Sequence, residues 1–147
     1  MTKALVLFHS QQYGNTQKMA EAVAEGLRSE GCEVILHNAN DSRFPITEYS
    51  SFDCVAFGTP DYFSYIAGTI KTFLDDWFLH RYESGYQGKP YAVFYSHGGG
   101  GRVKEVLSLF SRIGTQVGVS VGSQRDPNQT TLNDCRNLGI ELAKACT

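Results

Sequence analysis

The sequence predicts an α/β protein of three layers: a five-stranded parallel sheet of order 2-1-3-4-5 with helices on both faces. Three observations carry this. Short apolar runs, of the kind buried on both faces of a sheet, alternate with helical spacing along the whole chain. No repeat, low-complexity stretch or linker breaks the alternation, so one domain over residues 1–147 is expected. Three chemically unusual loops, 9–16, 59–64 and 96–101, follow the first, third and fourth apolar runs. The order 2-1-3-4-5 gathers those loops beyond the C-terminal strand ends, where such sheets bind ligands.

The first strand is the unbroken run Ala4 to Phe8. Seven small or polar residues follow, His9 to Asn15, and Thr16 closes the turn. Met19, Val23 and Leu27 then recur every four residues, which predicts a helix from about Gly14 to Glu30, stopped at Gly31. Glu33 to His37 is the second strand, and Asn38 to Tyr49 reads as a polar loop. Asp53 to Gly58 is the third strand. Ile66, Ile70, Phe73, Leu74 and Trp77 mark the second helix. Pro90 to Tyr95 is the fourth strand, with its proline at the start, where a missing N–H is tolerated. Val103, Val106, Leu107, Phe110 and Ile113 predict another helix. Val117 to Gly122 reads as the fifth strand and Leu132 to Cys146 as the last helix.

Composition narrows the function. A net charge of -2 without a Lys/Arg cluster argues against nucleic acid or an anionic membrane surface as partner. No apolar run reaches the length of a membrane span, and no secretory signal pattern opens the chain, so a cytoplasmic protein is expected. Cys32, Cys54, Cys135 and Cys146 are far apart with no Cys-x-x-Cys, which gives metal or dithiol chemistry little support. Cys54 reads as a small core residue, and an intracellular disulfide is the exception in such proteins.

The first loop joins a strand to a helix start, where free N–H groups and the positive dipole end favour a phosphate. Ser10, Asn15 and Thr16 can add hydrogen bonds. There is no Gly-x-x-x-x-Gly-Lys-Ser/Thr and no Gly-x-Gly-x-x-Gly, which argues against nucleoside triphosphatases and the usual dinucleotide fold. A loop without lysine suits a monoester held on a cofactor. The competing reading is an ordinary turn whose Ser, Asn and Thr merely cap the helix. In the second loop, Tyr62 and Phe63 are candidates to stack on a planar ring; in the competing reading one of them fills the core. The third loop, Ser96-His97-Gly98-Gly99-Gly100-Gly101, suits close backbone approach to a ligand, or else a flexible connector.

With all three loops in view, the chain resembles the flavodoxin-like family. The matching pieces are Ser10…Gly14-Asn15-Thr16, Gly58-Thr59-Pro60-Asp61-Tyr62-Phe63 with Gly68…Lys71…Phe73-Leu74-Asp75, and Ser96 to Gly101. The likeness spans nearly the whole chain, and flavodoxin is itself the standing example of ligand binding at the strand 1/3 switch. The second loop is also similar to that of flavodoxin-like NAD(P)H:quinone reductases. The resemblance implies FMN as cofactor. It places the phosphate at Ser10, Gly14, Asn15 and Thr16, with Gln12 and Tyr13 nearby. It places the flavin ring at Thr59, Pro60, Asp61, Tyr62 and Phe63, and at Ser96, His97, Gly98, Gly99 and Gly100. The first loop is one residue longer than the family's Ser-x-Thr-Gly-Asn-Thr and lacks its first threonine.

Three functions follow. The first is a one-domain electron carrier serving redox partner proteins. The second is an FMN-dependent NAD(P)H:quinone-type oxidoreductase with a small quinone-like acceptor, His97 as candidate proton donor, and an oligomer that pairs ring sites. The third is a flavin-free binding module. The carrier is the leading expectation, because the chain has no insertion to build a second substrate pocket.

Overall fold

The structure is a computed structural model and describes residues 1–146. Its elements are β1 (Lys3–Phe8), α1 (Asn15–Ser29), β2 (Glu33–Asn38), β3 (Cys54–Pro60), α2 (Gly68–His80), β4 (Lys89–His97), β5 (Gly114–Gln116), β6 (Val121–Gln124) and α3 (Gln129–Ala145). Two 3-10 helices, Ile46–Ser51 and Arg102–Arg112, complete the chain. All strand pairings are parallel, and the order is β2-β1-β3-β4-β5, with β6 also on β4. This is the expected sheet.

Side chains on a strand alternate between faces, so each apolar run feeds two cores. Leu5, Leu7, Val55, Phe57, Tyr91 and Val93 pack with Ile70, Phe73 and Trp77 of α2 and with Val103 and Phe110. Ala4, Val6, Phe8, Ala56 and Phe94 pack with Met19, Val23 and Leu27 of α1 and with Leu138 and Leu142 of α3. Helices α1 and α3 lie backbone to backbone. A Cβ on Gly26 would stand 2.0 Å from the Arg136 carbonyl oxygen, and one on Gly139 would stand 2.1 Å from that of Val23.

Two elements depart from the sequence expectation. The fifth strand is not Val117 to Gly122. It is two short segments on one edge of β4, Gly114–Gln116 beside Lys89–Tyr91 and Val121–Gln124 beside Phe94–His97. The register slips by two residues between them: Val117 N–H still donates to the Tyr91 carbonyl at 2.7 Å, and residues 118–120 bulge off the edge. Val117 and Val121 pack on the core while Val119 is exposed. The alternating valines therefore mimicked a strand that the slip interrupts. The segment after the glycines is a 3-10 helix, Arg102–Arg112. Its apolar set steps by three at Leu107, Phe110 and Ile113, which suits three residues per turn.

Candidate functional site

The site is built from backbone ladders that run past the strand ends. The His9 N–H donates to the Gly58 carbonyl at 3.0 Å, Asp61 N–H to Ser96 at 2.8 Å, and Arg125 N–H to His97 at 2.7 Å. The loops after β1, β3, β4 and β6 are thereby fastened side by side. Between them lies a cleft of about 580 Å³, within the range of small-molecule pockets.

One wall is the first loop. Gly14 is the N-cap of α1, in the left-handed region at φ 72, and no side chain caps the helix. The structure thus contradicts the reading in which Ser, Asn and Thr merely cap this turn. Ser10, Gln12, Tyr13, Gly14, Asn15 and Thr16 all line the cleft. Ser10 is held by Asn38 at the end of β2. The Asn38 Oδ1 accepts from Ser10 N–H at 3.0 Å, and its Nδ2 donates to the Ser10 carbonyl at 2.9 Å. The Thr16 and Ser96 hydroxyls share a buried hydrogen bond of 2.8 Å, which joins the first loop to the third.

The facing wall comes from β3 and β4. Pro60, Asp61, Tyr62, Ser96, His97 and Gly98 line it. Tyr62 is 36% exposed and meets His9 edge-on, ring centroids 5.6 Å apart. His9 is buried, with Nε2 on the Gln11 Oε1 at 2.9 Å and Nδ1 on the Thr69 hydroxyl at 2.8 Å. Because Gln11 Oε1 only accepts, Nε2 carries the proton and Nδ1 accepts from Thr69. Asp61 Oδ2 accepts from Val103 N–H at 3.0 Å, so it caps the 3-10 helix while lining the cleft. His97 stacks on Tyr95 at 6.1 Å, and its Nδ1 is buried with no hydrogen-bond partner. Burial raises the Tyr95 phenol above its ordinary pKa. Gly101, at φ 64, wraps the His97 ring so closely that a Cβ would stand 3.0 Å from Nε2.

Four expected residues lie off the cleft. Thr59 is fully buried; its hydroxyl accepts from Ala67 N–H at 2.9 Å and donates to the Pro60 carbonyl, so it braces the start of α2. Phe63 is 102% exposed at φ 56, so neither it nor Tyr62 fills the core; Ile66 and Ala67 do. Gly99 and Gly100 form the outer turn, closed by a Gly101 N–H to Gly99 carbonyl bond of 2.9 Å. The cleft also takes in residues the sequence reading passed over: Gln11, Lys18, Arg125 and Asp126, with Lys18 Nζ paired to Asp126 Oδ1 at 2.5 Å. Arg125 and Asp126 follow β6 at the same sheet edge, and that position was the available signal.

A family model described as Flavodoxin matches residues 6–139. The chain belongs to the flavodoxin family. Family members bind flavin and pass electrons to redox partners. A flavodoxin from the domain Archaea is 27% identical, covers 99% of both chains and superposes with a TM-score of 0.83. Two further structures share the flavodoxin fold. A flavodoxin, WrbA-like protein from Agrobacterium tumefaciens is 23% identical over 99% of this chain and 98% of its own, at a TM-score of 0.81. The rubredoxin oxygen:oxidoreductase of Desulfovibrio gigas is 22% identical and covers 98% of this chain, at a TM-score of 0.84. This flavodoxin-family chain matches 36% of that larger protein. Among the described residues no helix is long and apolar enough to cross a membrane.

Proposed function

We propose that residues 1–147 act as one FMN-binding domain and that the protein is an electron carrier. The observation that carries this reading is the uncapped start of α1, opening into the cleft opposite Tyr62. An anion there meets free N–H groups and the positive end of the helix dipole. An aromatic plate on the facing wall suits a planar ring. The residues present therefore fit a flavin mononucleotide. Ser10, Asn15, Thr16 and the backbone of the lengthened loop would hold its phosphate. Pro60, Asp61, Tyr62, Ser96, His97 and Gly98 would face its ring. When bound, the flavin supplies the redox chemistry. The chain would bind it in the cleft, and the Asp61 carboxylate would set the local charge.

The partners of this reading are redox proteins that meet the open side of the cleft. One observation favours the second reading, an NAD(P)H:quinone-type oxidoreductase with a small quinone-like acceptor. His97 Nδ1 stands buried and unpartnered beside the cleft, where it could hold or deliver a proton. Purified protein titrated with FMN should quench flavin fluorescence with a one-to-one end point. Two separated one-electron steps on reduction, with no oxidation of NAD(P)H, mark the carrier. Rapid bleaching by NAD(P)H that slows in His97→Ala marks the oxidoreductase. No change in flavin fluorescence at any ratio would overturn both and leave the flavin-free module.

A further inference from the structure

The cleft has a basic corner that the first loop does not supply. Arg125 lines it from just past the end of β6. Its φ of 59 lies in the left-handed region, which residues other than glycine seldom adopt. Two hydrogen bonds hold it there: its N–H donates to the His97 carbonyl at 2.7 Å, and its carbonyl accepts from the Ser123 hydroxyl at 3.1 Å. Strained backbone that is held in this way points to a function for the side chain it carries. The next residue, Asp126, pairs with Lys18 in the first turn of α1, which ties the turn after β6 to the start of that helix. Ser123 stands beside Ser96 in the β4–β6 ladder, and Ser96 in turn holds Thr16. Register, ion pair and cleft thus bring Arg125 alongside the first loop.

The guanidinium is uncommitted. Lys18 and Asp126 satisfy one another, and Asp61, the other carboxylate of the cleft, lies on the facing wall and caps the 3-10 helix. Among the described residues no hydrogen bond or ion pair engages the Arg125 side chain. We propose that Arg125 is the charged partner of the cofactor phosphate and sets the preference of this cleft for a phosphorylated flavin. The inference rests on the FMN reading above and adds to it a positive charge that the first loop lacks, since no lysine or arginine occurs from His9 to Gln17.

The chemistry follows from the donors. Loop N–H groups and hydroxyls meet a phosphate monoester as neutral dipoles, whereas the monoester carries close to two negative charges at neutral pH. A guanidinium brings a full charge and a planar fork of N–H donors that matches two phosphate oxygens. The Lys18–Asp126 pair assigns that charge to the phosphate rather than to the ring, because it fastens the turn to the end of α1 whose free N–H groups are the other partners of an anion. Arg125 is exposed, so dissolved salt screens its pairing. Riboflavin, which has no phosphate, meets none of this attraction.

The test titrates the flavin-free full chain with FMN and with riboflavin, by flavin fluorescence, at low and at high salt. Arg125→Gln should weaken FMN about tenfold at low salt, the scale of one hydrogen bond to a charged group, and leave riboflavin at wild-type affinity. Arg125→Lys keeps the charge without the fork and should recover part of the loss. Arg125→Gly adopts φ 59 without strain, so it removes the side chain and spares the fold; it should bind FMN as weakly as Arg125→Gln. High salt should bring wild type toward the two uncharged variants. Unchanged FMN affinity in both uncharged variants, or equal losses for FMN and riboflavin, would overturn the proposal and leave the FMN reading standing. A loss that high salt does not reduce would make Arg125 a structural residue and overturn it as well. Wild type that binds neither flavin would instead defeat the FMN reading, and the proposal with it.

Discussion

At Asp61 one carboxylate serves two ends: it caps the 3-10 helix through Val103 N–H and lines the cleft. The two roles separate by substitution. Asp61→Asn keeps an acceptor oxygen for the cap and removes the charge. Adding an electron to a bound flavin leaves it more negative, so the carboxylate opposes the step. A unit charge on the order of 8 Å away at an effective dielectric of ~20 contributes about 2 kcal/mol. That is ~90 mV for one electron, and solvent screening lowers it toward ~20 mV. Potentiometric titration of Asp61→Asn should therefore raise the second one-electron potential by about 20–90 mV, less in high salt. Asp61→Ala should in addition cost about 0.5–2 kcal/mol of stability, the size of a lost cap. An unchanged potential in both variants would remove Asp61 from the flavin's surroundings. The aromatic pair divides as cleanly. Tyr62→Ala should lose about 1–3 kcal/mol of FMN affinity, by analogy with base stacking. Phe63→Ala, at an exposed position off the cleft, should match wild type in the same fluorescence titration. The reverse pattern would assign the stacking to Phe63.

Elements meet through single contacts, and two of these can be probed. The Thr16–Ser96 hydroxyl pair ties the first turn of α1 to the end of β4. Thr16→Ala leaves the buried Ser96 hydroxyl without its partner, at a cost of about 1–3 kcal/mol in stability. If Thr16 also faces the phosphate, FMN should weaken by about 1–2 kcal/mol more than riboflavin, which lacks that group. Equal losses for the two ligands would reduce Thr16 to a tie between elements. At the α1–α3 crossing, Gly139→Ala drives a methyl against the Val23 carbonyl. Denaturant unfolding should show a loss of at least about 1–3 kcal/mol, the scale of overpacking. A neutral result would mean that the two helices separate freely.

Over the whole molecule, the buried charge with the clearest pH signature is Lys89. Its Nζ donates to the Phe52 carbonyl and lies over the Tyr49 ring, and burial lowers its pKa below the ordinary lysine value. Between that lowered value and about 10.4, the unfolded chain binds more protons than the folded one. Stability contributed by this group therefore rises with pH through that window and is level below it. The wild-type curve minus the Lys89→Met curve should show this rise; a flat or falling difference would mean that Lys89 titrates as a solvated lysine. The raised Tyr91, Tyr95 and Cys135 groups, none of them among the charges that act on Lys89, bend both curves alike and cancel in the difference.

The alternation of strands and helices, the two-faced sheet and the three polar loops after strands were legible in the sequence because each rests on local chemistry: an apolar run near Leu5, a change of period at Met19, polar residues at the strand ends. The strand order 2-1-3-4-5 came with the family resemblance, since local pattern alone does not choose between the orders open to such sheets. What the chain alone could not decide were relations between distant residues. Val117, Val119 and Val121 read as one strand until β4 imposed a two-residue slip. Nothing local showed that the Thr59 hydroxyl would accept from Ala67 N–H and donate to the Pro60 carbonyl. Asn38 carried no signal until β2 lay beside β1 and brought its amide to Ser10. Periodicity reports which face a residue takes, whereas hydrogen-bond partners and register depend on neighbours set by the folded sheet, and those only the tertiary structure supplies.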